Sequence, residues 1–165
     1  MQSVAIVAVV AAVGVLGVGC SAKVDDAGVV PMSAVHLQEE LADRMAKGRV
    51  PPQSVTCAGD LPGEVGKTVI CEVVLTDTEA MQATVTTTKV TGSNIDYDVS
   101  PSVTKDQLEK AYAFSESAQA VKCDAGLDGK VGASTTCQVT KDGATRKTTV
   151  SVKRVADMQI DFATG

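Results

Sequence analysis

The sequence predicts an α+β protein made of two small tandem modules, each an N-terminal helix packed on a four-stranded antiparallel sheet and stapled by one disulfide. Three observations carry this. Two stretches, 57–71 (CAGDLPGEVGKTVIC) and 123–137 (CDAGLDGKVGASTTC), each hold a cysteine pair fourteen positions apart around a glycine-containing turn. Aligned, they share both cysteines, Leu61 with Leu127, Gly63 with Gly129, Val65 with Val131 and Gly66 with Gly132. A helical period precedes each stretch and alternating, Thr- and Val-rich segments follow it.

In chain order, residues 1–19 carry no charge, and 4–18 are continuously apolar or glycine. Such a run is short for a membrane span and fits the apolar region of a signal peptide. Small residues, Gly17-Val18-Gly19, then lead directly into Cys20-Ser21. This resembles the lipobox of bacterial lipoproteins, which implies cleavage after residue 19 and a lipidated, palmitate-bearing Cys20 as the mature N-terminus. Gly17 stands where the pattern prefers leucine, and no basic residue precedes the apolar run. The alternatives are an uncleaved single-span anchor and a plain secreted form, and all three export the remainder. Residues 20–32 read as a lipidated N-terminus and tether, spanning about 20 Å.

Module 1 is expected over 33–100. Ser33 caps a helix reaching Ala46, with Leu37, Leu41 and Met45 stacked on one face, and Gly48 with Pro51-Pro52 ends it. Strands follow near 54–57, 67–76, 81–91 and 95–99, the last after a turn at Ser93-Asn94. Module 2, over 101–165, repeats this order. Thr104 and Gln107 form a capping box for a helix bearing Leu108, Ala111 and Tyr112, and strands are expected near 120–124, 133–141, 145–155 and 158–162. Asp142-Gly143 marks a hairpin. With one residue lost there, Val85 matches Val150, Lys89 matches Arg154 and Tyr97 matches Phe162.

Modules of roughly 65 residues are marginal on burial alone, and the four aromatics, Phe114, Phe162, Tyr97 and Tyr112, add few large rings. Of the five cysteines, Cys57 with Cys71 and Cys123 with Cys137 make two pairs and leave Cys20 for lipidation. A disulfide closing a loop of this size contributes about 3 kcal/mol. The opposing possibility, five reduced cysteines in the cytosol, leaves the repeated spacing unexplained.

The residues Cys57, Leu61, Pro62, Gly63, Val65, Gly66 and Cys71, with Cys123, Leu127, Asp128, Gly129, Val131, Gly132 and Cys137, resemble a domain of unknown function. It is found singly or in tandem in actinobacterial envelope lipoproteins and membrane proteins. The resemblance spans about 33–162. It implies placement on the extracytoplasmic face of the cell membrane and the two disulfides, and it brings no activity. A looser likeness of architecture is to tandem inhibitor proteins that clamp an enzyme.

A net charge of −5 with no basic stripe argues against nucleic acid as partner. His36, the only histidine, lies beside Glu39 and Glu40 and reads as a solvated ion pair. Asp60 with Glu64, Asp124 with Asp128, and Asp96, Asp98 and Asp161 read as turn and surface carboxylates, and Lys89 and Arg154 as charges guarding a sheet edge. No catalytic residue, metal ligand or cofactor is expected. The functional expectation is a non-enzymatic, membrane-anchored protein-interaction module of the cell envelope, whose partner is an envelope protein met by the sheet faces or the turns near the cysteines. The alternatives are an envelope carrier of a lipid or other apolar ligand, an inhibitor-like clamp, and a hydrolase working through carboxylates.

Overall fold

A computed structural model describes residues 29–48 and 50–165. The apolar segment, Cys20 and most of the tether fall outside these residues. The chain order is β1 (Val29–Met32), α1 (Ala34–Ala46), β2 (Ser54–Cys57), β3 (Leu61–Gly63), β4 (Thr68–Val74), β5 (Ala80–Thr91) and β6 (Asn94–Val103). The second half follows as α2 (Lys105–Glu116), β7 (Ala120–Cys123), β8 (Leu127–Asp128), β9 (Ser134–Lys141), β10 (Ala144–Ala156) and β11 (Gln159–Thr164).

Each module has its helix and four main antiparallel strands, and the disulfides are Cys57–Cys71 and Cys123–Cys137. Each cystine joins directly opposed residues of neighbouring strands, β2 with β4 and β7 with β9. The alternation Val69, Cys71, Val73 and Met81, Ala83, Val85 buries one face of the first sheet against Leu37, Leu41 and Met45 of α1. Val121, Cys123, Cys137, Val139, Val150 and Val152 do the same in the second, with Leu108 and Tyr112 of α2.

Ser33 caps α1 by accepting from the His36 amide, and both bonds of the Thr104–Gln107 capping box form. The duplication extends to a bond between helix and sheet. The amide of Cys57 donates to Gln38 Oε1 at 2.9 Å, and that of Cys123 donates to Glu109 Oε1 at 2.8 Å. Both copies also carry a β-bulge, with Thr88 the extra residue between Thr87 and Lys89 and Lys153 the extra one between Val152 and Arg154.

Three features depart from the expectations. Val29–Met32, at the end of the expected tether, is a strand paired with β3, Met32 opposite Leu61. The expected module boundary at residue 100 falls inside β6, which runs on to Val103 and pairs its end with β8 of the second module, Val103 opposite Leu127. The two pairings are counterparts: the end of β6 stands before α2 as β1 stands before α1. One strand therefore closes the first sheet and begins the second module, giving a first sheet ordered β2-β4-β5-β6-β8 beside a second ordered β11-β10-β9-β7. Finally, the β5–β6 turn falls on Gly92-Ser93, one residue earlier than expected, because Gly92 at φ 61° takes the left-handed position and Thr91 pairs with Asn94. Its counterpart in module 2 is Asp157-Met158, both at positive φ without glycine.

The buried side chains of both modules belong to one continuous core. More residues separate α1 from β2 than α2 from β7, and among them Val50 reaches module 2: Gln159 Nε2 donates to the Val50 carbonyl at 2.8 Å.

Candidate functional site

The two outer sheet faces lie opposite the helices. Register places Thr68, Thr86 and Asp98 in one row, Ile70, Thr84 and Ser100 in the next, and Glu72, Gln82 and Ser102 in a third. Thr68, Ile70, Glu72, Asp98 and Ser100 are exposed and the others half-buried, and Ile70 is an apolar residue in the middle of a polar field. The corresponding rows of module 2 are Ser134 with Ser151, Thr136 with Thr149, and Gln138 with Lys147. Residues 33–100 hold ten acidic and five basic residues, whereas 101–165 hold eight acidic and nine basic, so the faces share a Thr/Ser texture but differ in charge.

The turns beside the cystines repeat closely. Lys67 N donates to Glu64 O at 3.1 Å and Ala133 N to Lys130 O at 2.9 Å, with Gly66 and Gly132 at φ 86° and 90°. That is a type II geometry, which demands a positive φ at its third residue. It holds Val65 and Val131 outward, 65% and 70% exposed.

The carboxylates singled out in the sequence do not converge. Asp60 Oδ1 accepts from the Ala34 amide at 2.8 Å, a second cap on α1, and Glu64 lies 3.8 Å from Lys67. Asp128 sits opposite Ser102, and Asp98 opposite Thr86. Lys89 and Arg154 do not guard edges. They lie on the central strands β5 and β10, Lys89 opposite Asp96, and Arg154 Nε is 2.8 Å from Asp161 Oδ2. The bulges make these pairings by shifting the register one residue beyond simple alternation. Among the described residues no three His, Cys, Asp or Glu side chains gather into a metal-binding group.

His36 Nε2 stands 3.2 Å from Glu40 Oε1, and Glu40 also accepts a hydrogen bond from the Tyr97 hydroxyl. Partial burial, and then the neighbouring Glu40 carboxylate, push the Tyr97 phenol up to about 12, against a smaller opposing pull from Arg44. No local sequence pattern signals this bond, since the two residues are 57 apart.

Glu40 and Tyr97 lie on the flank of module 1, where a shallow open hollow is bordered by Met32, His36, Glu40 and Ile95. The counterpart positions in module 2 are Val103, Gln107, Ala111 and Ile160, with Phe162 for Tyr97. That flank is not open. Module 1 covers it with Val50, Leu75, Ala80 and Met81, leaving an apolar pocket of about 260 Å³ at the seam, lined also by Val103, Ala111, Ile160 and Phe162. The pocket forms between the β4–β5 hairpin of module 1 and the helix and last strand of module 2.

Residues 14–92 and 95–157 match, in tandem, the family described as Domain of unknown function (DUF4333), and the chain belongs to that family. The second match begins in β6, so the family's repeating unit includes the strand before the helix, as the shared strand requires. No curated protein and no solved structure matches the chain. Among the described residues no helix is long and apolar enough to cross a membrane.

Proposed function

We propose that the protein is an actinobacterial cell-envelope lipoprotein, held on the extracytoplasmic face of the membrane by a lipidated Cys20, and that it acts without catalysis as a two-module protein-interaction platform. The observation that carries this reading is the pair of uncovered sheet faces. Their rows of Thr, Ser and Gln with a central Ile70 offer ordered hydrogen-bonding groups and some apolar surface on a backbone held by sheet pairing and a cystine, at little ordering cost on binding. Two cystines suit an oxidising compartment. The family match reaches back to residue 14 and so takes in Gly17-Val18-Gly19-Cys20. An acyl-modified cysteine with two or three chains would hold the protein stably to a bilayer.

Native mass spectrometry of the protein extracted from its host membranes tests both parts. The expected species carries acyl mass on Cys20 and a co-purifying protein that is lost on Ile70→Arg or Thr84→Arg but kept on Phe114→Ala, a change on the exposed side of α2. A membrane-extracted wild-type protein with no acyl mass on Cys20 would refute the lipid anchor. A partner indifferent to both arginine substitutions would refute the role of the first sheet face.

A further inference from the structure

The seam pocket is independent of the sheet faces and of the interaction reading built on them. We propose that it is a binding site for a small uncharged apolar group, a single ring or a short alkyl chain, either free or as the end of a larger ligand.

Size, lining and the internal comparison support this together. An apolar cavity of about 150 Å³ is enough to take benzene, and sites for drug-sized molecules begin at about 300 Å³. At about 260 Å³ the seam pocket lies between them, with room for a ring or short chain and too little for a pair of acyl chains. Most of its lining is aliphatic or aromatic, and of its polar members Gln159 spends one of its two amide N–H groups on the Val50 carbonyl. The charged groups that line it are carboxylates, Glu79 and Asp161, and Asp161 is engaged by Arg154, so an anionic head meets like charge there.

The duplication shows that the covered, largely apolar form of this space is particular to module 2, the counterpart in module 1 being an open hollow. At the matching place in module 1 the longer Glu40 side chain meets the Tyr97 hydroxyl, while module 2 carries Ala111 and Phe162 and roofs the gap with Leu75 and Met81. Water in this pocket meets few hydrogen-bonding partners and packs poorly on the apolar part of its lining, leaving dispersion contacts unmade. A ligand restores them.

The probe is benzene, titrated into the full chain in detergent micelles with its methionine methyls ¹³C-labelled. Met81 lines the seam pocket and Met32 borders the open hollow of module 1, so one spectrum reports both places. The expected result is a saturable shift at Met81 with none at Met32, and at least tenfold weaker binding in Ala111→Phe, which fills the pocket. Equal, non-saturating shifts at both methionines would overturn the proposal, as would undiminished binding by a folded Ala111→Phe. If that variant does not fold, the contrast between Met81 and Met32 in the wild-type chain decides the matter alone.

Discussion

The flanks of the two helices began as one structure and now do opposite things. On module 1, Glu40 of α1 and Tyr97 of β6 bridge helix and sheet with a hydrogen bond beside an open hollow, and His36 Nε2 stands 3.2 Å from Glu40 Oε1. On module 2, Ala111 and Phe162 occupy the same positions, and the gap is covered by the β4–β5 hairpin of the other module. An exposed flank keeps polar groups because water pairs with them. A flank that must meet another module sheds them, since an unpaired polar group buried there costs about 1–3 kcal/mol. The second module's surface is therefore shaped by the first, and the two modules share a strand and a core.

Loss of a cystine should have the largest effect. Cys71→Ala and Cys137→Ala should each destabilise by about 2–5 kcal/mol. Because the core is continuous, calorimetry should show one transition that moves as a whole in both variants. Two transitions, with only one displaced, would show that the modules unfold separately.

The helix N-termini differ next. Asp60 caps α1 through the Ala34 amide, and its counterpart is Gly126, whose backbone lies so close to β6 and α2 that an added Cβ would overlap the Val103 carbonyl oxygen. Gly126→Ala should therefore cost about 1–3 kcal/mol through overpacking, and Asp60→Ala about 1 kcal/mol through the lost cap. Urea denaturation that ranked them the other way would contradict the close approach.

The tyrosines should respond with opposite signs. Tyr97→Phe copies module 2 onto module 1 and should cost about 1 kcal/mol, allowing for the partial exposure of the Glu40 bond. Tyr112 takes the place of Leu41, and its buried hydroxyl has no hydrogen-bond partner among the described residues, so Tyr112→Phe should be neutral or stabilising by up to about 1 kcal/mol.

The raised Tyr97 pKa sets the smallest effect. The folded state holds the phenol proton more tightly than the unfolded chain, whose tyrosine loses it near pH 10. This contribution is therefore level below about pH 10 and is lost as pH rises toward 12. The difference in stability between wild type and Tyr97→Phe, followed by denaturant titration, should shrink over that window and be constant below it.

Local signals carried most of the elements. Caps at Ser33 and Thr104, the i, i+4, i+8 stripe of α1, alternation in β4 and β9 and the Asp142-Gly143 hairpin are all written within a few neighbouring residues, where backbone preference and side-chain period act directly. The cystines were legible because the duplication repeats their spacing. The bulges at Thr88 and Lys153 were not, because an extra residue disturbs alternation without leaving a composition of its own, and Lys89 and Arg154 were consequently placed at edges when they oppose aspartates on central strands.

By itself, the amino-acid order determined two copies of a helix and four antiparallel strands, the cysteine partners and the turn glycines, because each depends on propensity, period or repeated spacing. Only the tertiary structure decided that β6 serves both modules, that Val29–Met32 is a strand, that Val50 reaches Gln159, and that Ala111 and Phe162 border a covered pocket while Glu40 and Tyr97 meet beside an open hollow. These depend on which surfaces meet across tens of residues. A contact of that kind is chosen by the fit and polarity of both partners together, and neither partner's local sequence records it.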